Sequence, residues 1–365
     1  MTSTKIEEVK LFSPLTLRGL TIANRLWLAP MCQYSATDGV PNDWHLVHLG
    51  SFAKGGAGLL LTEATSVTPE GRISPGDTGL WNDAQVDAFA RINRFVSEQG
   101  AVPGVQLAHA GRKASTAIPW EGRGLLEPSE GGWPVIGPSA IAAGELGTPS
   151  EMSLSEIGDV VAAFADAAGR AHRAGFEVVE IHAAHGYLIH QFLSPLSNLR
   201  TDTYGGDFAG RTRLLREIVA AVRDSWPQEL PVFVRISATD WADGGWTVEE
   251  SAELAASLVG SGVDLIDVSS GGLTPEQRIS VGPGYQVPFA RTVRAASPIP
   301  VAAVGLITDA AQAEQVLVDG SADAVFVGRA LLREPQWPLR AAKELGAEIR
   351  WPRPYRSAKF RGSIP

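Results

Sequence analysis

The chain has a single cysteine, Cys32, so no intrachain disulfide can form. No apolar run approaches the roughly 20 residues that a membrane helix needs. The stretch 1–10 is polar and lacks the apolar core of a signal peptide. A cytoplasmic protein that touches no membrane is therefore expected. Basic charge is also scarce: 31 Lys and Arg face 40 Asp and Glu, a net charge of −9. A nucleic-acid backbone is thereby excluded as an expected partner. No G-x-G-x-x-G follows the first strand, which counts against a dinucleotide-binding start. What is plentiful is core material: 44% of the residues are apolar, enough to fill one large α/β unit.

The apolar residues come in short runs. Strands are expected at 25–29, 58–65, 102–107, 178–181, 231–237, 264–269, 300–304 and 324–327, after a small β-hairpin at 15–17 and 20–22. Helical periodicity falls between them, at 42–53, 83–99, 153–173, 211–225, 248–261 and 309–318. The third of these opens on Ser153 with Glu156 three residues on, the spacing of a capping box. Strand–helix alternation argues for a parallel sheet with crossovers. Eight such units favour a closed (β/α)8 TIM barrel, with residues 1–365 forming one domain. The Gly-, Pro- and Ser-rich excursion 115–153, after the third strand, is long enough to be a cap over a site.

A parallel barrel gathers its C-terminal strand ends at one mouth. Those ends are Met31 and Cys32, Ala64, Gln106, His182 with His185 and Tyr187, Arg235, Gly305, and Gly328 with Arg329. Two histidines and a tyrosine within six residues suit a ligand site; a metal pair or a capped helix start is the plainer reading. The strand ends carry no carboxylate cluster for a hard cation. Zinc can use histidines, but Cys32 is the only thiol and no third ligand stands out. Gly305 and Gly328 with Arg329 sit after the last two strands, where barrels bind phosphate; otherwise these glycines are turn residues. Gln106 and Arg235 fit either a heterocycle's edge or a buried polar network. Cys32 is either an inert buried thiol or a neighbour of a cofactor, since nothing near it in sequence activates it.

Five stretches carry a resemblance. They are Ala29-Pro30-Met31-Cys32-Gln33-Tyr34, Asn42-Asp43-Trp44-His45, His109-Ala110-Gly111-Arg112-Lys113-Ala114, His182-Ala183-Ala184-His185-Gly186-Tyr187 and Arg200-Thr201-Asp202-Thr203-Tyr204-Gly205-Gly206. Together they resemble the Old Yellow Enzyme family of flavin-dependent ene-reductases, over roughly residues 11–355. The cysteine after Pro-Met resembles the bacterial thermophilic-like subclass, which includes xenobiotic reductases.

The resemblance implies non-covalent FMN and a hydride from NADPH or NADH. It places Ala29, Pro30, Met31 and Cys32 along the flavin, Ala64 at its edge, Gln106 at the pyrimidine rim and Arg235 near the locus of reduced charge. Gly305, Gly328 and Arg329 would hold the phosphate. His182 and His185 would bind a substrate oxygen, with Tyr34 assisting, Lys113 nearby and Tyr187 as proton donor. Catalysis would then rest on Tyr187, His182 and His185, with Cys32 beside the flavin. Enones are the implied substrates, with nitro compounds or nitrate esters as the alternative, and phenols as inhibitors. A homodimer or homotetramer is implied; relatives often project an Arg or Trp from the C-terminal tail into a neighbour's site, and here Arg353, Arg356 and Arg361 are the candidates, with no aromatic where some relatives have Trp. One cysteine cannot hold the iron–sulfur cluster of the related dienoyl-CoA reductases. The competing class, a non-redox barrel acting on a phosphate ligand, lacks a lysine at any strand end for a Schiff base.

Overall fold

Alternation along each strand decides where its side chains go. The structure, a computed structural model, describes residues 9–122 and 124–360. Eight parallel strands close into a barrel: β1 Leu26–Leu28, β2 Leu59–Ser66, β3 Val102–Ala108, β4 Val178–Ala183, β5 Val232–Ser237, β6 Leu265–Ser269, β7 Val301–Ala303 and β8 Ala324–Val327. β8 returns to pair with β1, Val327 opposite Leu28. The expected (β/α)8 barrel is therefore the observed one, and each strand lies within two residues of its expected ends.

Successive residues of a strand point to opposite faces. Outward positions such as Leu60, Val105, Ile181, Val234 and Val325 join the large apolar cluster shared with the helices. Inward positions Trp27, Leu59, Val178, Phe233, Leu265 and Phe326 fill the lower half of the lumen. Leu17, Leu20 and Ile22 of the antiparallel hairpin Leu15–Leu17/Leu20–Ile22 belong to the same inner cluster, so the hairpin plugs the barrel floor. Trp27 stacks on Phe233 at 5.9 Å and meets Phe326 edge-on at 5.3 Å.

The helices start where side chains satisfy their first amides. Ser153 and Glu156 form the expected capping box, and Asn42 with His45, Asn82 with Gln85 and Thr247 with Glu250 form three more. The helix expected at 211–225 begins earlier, at Phe208, because Asp207 accepts from Gly210 N (2.9 Å). Helices Leu188–Leu193, Val287–Ala296, Arg329–Arg333 and Trp337–Leu345 were not expected. The excursion 115–153 is partly ordered by strand pairing, Ile136–Gly137 running parallel to Ser150–Glu151. No described helix is long and apolar enough to cross a membrane.

Candidate active site

Above the apolar floor the inward positions turn polar. Val178, Glu180 and His182 share the inner face of β4, so His182 emerges at the rim one step above Glu180. The chain then makes a tight turn in which His185 and Gly186 have φ of +58° and +73°. A Cβ on Gly186 would lie 2.2 Å from the Gly272 carbonyl oxygen, so only glycine fits.

The backbone of this turn is held at every polar atom. Ser237 Oγ accepts from His185 N (2.9 Å), and Lys113 Nζ donates to the carbonyls of His185 and Gly272 (2.8 Å each). His190 Nδ1 accepts from Gly186 N (2.9 Å), and Gln191 Nε2 donates to Gly186 O (2.8 Å). Tyr187 N bonds Ala184 O (3.2 Å), and Tyr187 O accepts from Gln191 N (2.8 Å). The three candidate side chains are thus presented on a fixed platform. The His182 ring lies 5.1 Å from that of His185 and 5.2 Å from that of Tyr187.

Electrostatics set the protonation of each group. Burial, and then the Arg235 charge, hold both histidines well below the ordinary imidazole range, so both are neutral. His185 Nε2 meets Ser269 Oγ at 2.7 Å, whereas His182 Nδ1 is buried and has no hydrogen-bond partner among the described residues. Burial, reinforced by Cys32, Tyr34 and Asp77, keeps the Tyr187 phenol well above its usual value and therefore protonated. Lys113 Nζ lies 5.1 Å over the Tyr187 ring, and burial and Arg112 push its ammonium down to about 8.

The loop after β1 faces this turn. Tyr34 takes φ +49° and hydrogen-bonds the Cys32 thiol. Burial, then Asp77 and Glu63, push that thiol well up, so Cys32 is not an activated thiolate. Gln33 N donates to Glu63 Oε2 (2.8 Å), and Glu63 Oε1 faces His45 Nε2 at 3.1 Å, which pins the loop to the first helix.

Between floor and rim lies a buried layer that strand-end reasoning passed over. Gln106 Nε2 donates to Glu180 Oε1 (2.7 Å), and Arg235 Nε lies 2.9 Å from Asp267 Oδ2. Burial, then Asp267, push the Glu180 carboxyl up to about 8, while burial lifts Asp267 less because Arg235 opposes it. At neutral pH, Asp267 balances Arg235 and Glu180 keeps its proton. Since an unfolded glutamate titrates near ~4.3, the folded state binds the extra proton from there to about 8. This group's contribution is thus fully present below the unfolded value and is lost as pH rises through the folded one. Glu180→Gln should flatten the fall of Tm between pH 5 and 8, read by thermal unfolding of the flavin-loaded protein. An unchanged slope would show that Glu180 is ionised in the fold.

The other side of the mouth is a cavity of about 280 Å³. Its walls include Ala29, Pro30, Met31, Arg235, Gly305, Gly328 and Arg329, with Gly328 packed against Met31 and Ala29. Gly305 has φ +117° and packs against Gln286, which in turn is held by Ser270 Oγ (2.6 Å) and Val304 O (3.1 Å). Arg333, one turn beyond Arg329, lines the same cavity and was not nominated from sequence. A slot lined by apolar side chains, glycines and the guanidiniums of Arg235, Arg329 and Arg333 suits a flat heterocycle bearing a phosphate. A larger cavity of about 540 Å³ beside the rim holds none of the nominated residues. Arg353 and Arg356 are exposed in the helix Arg353–Ala358, and Arg361 lies outside the described residues. Among the described residues, no group of three or more His, Cys, Asp or Glu is placed to hold a metal ion.

Comparison with known proteins agrees with this geometry. The model of the NADH:flavin oxidoreductase / NADH oxidase family matches residues 10–348. The NADPH dehydrogenase of Geobacillus thermodenitrificans is 50% identical over 348 residues, covering 94% of this chain and 97% of the relative. The NADH:flavin oxidoreductase FG08077 of Gibberella zeae is 47% identical, covering 93% and 87%. Among solved structures, morphinone reductase superposes with a TM-score of 0.78 at 29% identity, covering 97% of this chain and 94% of that one. The old yellow enzyme homologue from Zymomonas mobilis superposes with a TM-score of 0.77 at 27% identity, covering 94% of each. With the family model spanning the barrel and a relative at 50% identity matched over nearly its whole length, this chain belongs to the NADH:flavin oxidoreductase family of Old Yellow Enzymes and is an FMN-dependent NAD(P)H oxidoreductase.

Proposed function

We propose that this enzyme reduces the activated C=C bond of α,β-unsaturated carbonyl compounds. The observation that carries the reading is the grouping of two neutral histidines and one protonated phenol at one strand end and the rigid turn that follows it. When bound, FMN supplies the hydride chemistry, taking a hydride from NADPH or NADH and giving one to carbon. The chain supplies the rest. His182 and His185 donate to the carbonyl oxygen and stabilise the charge that grows there, with Tyr34 assisting. Tyr187 gives its proton to the α-carbon. Gln106 and Arg235 would face the ring, Ala64 would meet its edge, Ala29, Pro30, Met31 and Cys32 would line its side, and Gly305, Gly328 and Arg329 would hold the phosphate. Cys32 acts as a neutral neighbour that tunes the ring and forms no bond to substrate. A nitro oxygen fits the same two donors, so nitro compounds and nitrate esters form the second reading. Assembly into a homodimer or homotetramer belongs to the same proposal, and sedimentation velocity tests it.

The direct test is anaerobic. NADPH should bleach the visible flavin spectrum, and cyclohexenone should restore it with one cyclohexanone formed per flavin. Bleaching without reoxidation by any enone would refute the reading. The phosphate assignment has its own test. Loss of a charge-assisted contact costs about 1.5–3 kcal/mol, so Arg329→Ala should raise the Kd for FMN roughly 10- to 150-fold. Unchanged affinity in a fluorescence titration would remove Arg329 from the phosphate site.

A further inference from the structure

Behind the turn that carries Tyr187 lies a buried pair that no substrate can touch. His190 Nε2 is 2.8 Å from Asp240 Oδ1, and neither side chain has any exposure. The other ring nitrogen, Nδ1, accepts from Gly186 N at 2.9 Å. An N–H cannot face an N–H, so Nδ1 carries no proton and the ring proton sits on Nε2, toward Asp240. Asp240 Oδ2 is also committed, accepting from Ser194 Oγ (2.6 Å) and Trp246 N (2.7 Å). Burial raises the Asp240 carboxyl, but His190, Ser194 and Trp246 outweigh it and leave it below its ordinary value. A charged carboxylate therefore fixes the tautomer of His190, and the tautomer decides whether Gly186 N–H has an acceptor.

We propose that His190, locked by Asp240, is a positioning residue that sets the Tyr187 phenol and the His185 ring in the mouth. The physical reason is the backbone of the turn. His185 at φ +58° sits in a region that L residues enter at a cost, and Gly186 follows at +73°. Gly186 is buried, so its N–H without an acceptor is an unsatisfied donor. Rotation of the 185–186 peptide relieves that donor and carries both flanking side chains with it. The inference rests on the reading of Tyr187 as proton donor.

Two substitutions separate this role from simple packing. His190→Phe keeps an aromatic ring and removes the acceptor. Asp240→Asn keeps the shape but reverses the tautomer. The amide oxygen that this substitution leaves must stay with Ser194 and Trp246, so the new NH₂ faces His190 Nε2 and drives the ring proton to Nδ1, against Gly186 N–H. His190→Asn, with an acceptor oxygen near the position of Nδ1, is the rescue. Each variant is purified with FMN, and Tyr187→Phe is measured beside them. Expected are lost hydrogen-exchange protection at the Gly186 amide and a 10- to 100-fold slower reoxidation by cyclohexenone in His190→Phe and Asp240→Asn. Reduction by NADPH should stay within about two-fold, and His190→Asn should recover most of both losses. Equal slowing of both half-reactions, or no recovery in His190→Asn at matched Tm, would reduce the pair to packing. Normal reoxidation in both variants while Tyr187→Phe is slow would overturn the inference alone. Normal reoxidation in Tyr187→Phe would overturn the proton-donor reading and the inference with it.

Discussion

Tyr187→Phe should leave flavin reduction by NADPH nearly unchanged and slow flavin reoxidation by cyclohexenone about 10²- to 10⁴-fold, the range expected for loss of a general acid. The argument begins with the phenol's surroundings. Burial, Cys32, Tyr34 and Asp77 all raise its pKa, so it holds its proton at any working pH. A group so reluctant to ionise gives up a proton only to a strong base, and the α-carbon beside a developing enolate is one. Lys113 Nζ, 5.1 Å over the ring, offsets the charge left behind. Hydride delivery by the nicotinamide requires none of this, so the two half-reactions should separate cleanly. Quinones and nitro compounds, which need no proton at carbon, should be spared. Stopped-flow measurement of each half-reaction decides the matter. Equal slowing of both, or none with cyclohexenone, would mean that the proton arrives by another path and that Tyr187 shapes the pocket only.

The parts of this site that could be read in sequence are those fixed by local pattern. The run 178–181 ending in His182, His185, Gly186 and Tyr187 is a strand end by composition alone. Ser153 with Glu156 announces a helix start, and the structure has the bond. The helix Val287–Ala296 was hidden for an opposite reason. Pro288 stands in its first turn, Gly282, Pro283 and Gly284 precede it, and only Ala290 and Val293 are buried, so the apolar period is short and blurred. Glu180 and Asp267 were hidden inside apolar strands. Glu180 is two residues from His182 and so shares its face, but a strand's interior gives no local pattern that marks a polar residue as part of the lumen. The Asp240–His190 pair spans 50 positions and joins the loop after β5 to the helix after β4, a contact that only barrel closure creates. Arg333 follows the same logic at short range: it lines the slot only because residues 329–333 form a helix.

Replacing both His182 and His185 by alanine should cost at least the 10²- to 10³-fold typical of losing one donor to a developing oxyanion. Neutrality is what makes them suited to the task. Burial and the Arg235 charge keep both rings from taking a second proton, so each donates through one nitrogen and neither presents a fixed charge to an uncharged substrate. For His185 the nitrogen at Ser269 Oγ is already engaged at 2.7 Å, and Ser269 lies on β6, so barrel strands fix that ring. His182 Nδ1 is buried and has no partner among the described residues. Two consequences follow from the same electrostatics. Neither histidine should contribute a limb to the pH profile of enone reduction near the ordinary imidazole value of about 6.5, so the double variant should leave the profile's shape in that range unchanged. A para-substituted phenol, whose oxygen imitates the enolate, should bind as phenolate and give a long-wavelength charge-transfer band with the flavin. That band and the inhibitor's affinity should both disappear in the double variant while FMN stays bound. Retention of the band at unchanged affinity would place the substrate oxygen elsewhere in the mouth and leave the histidines a structural part of the rim.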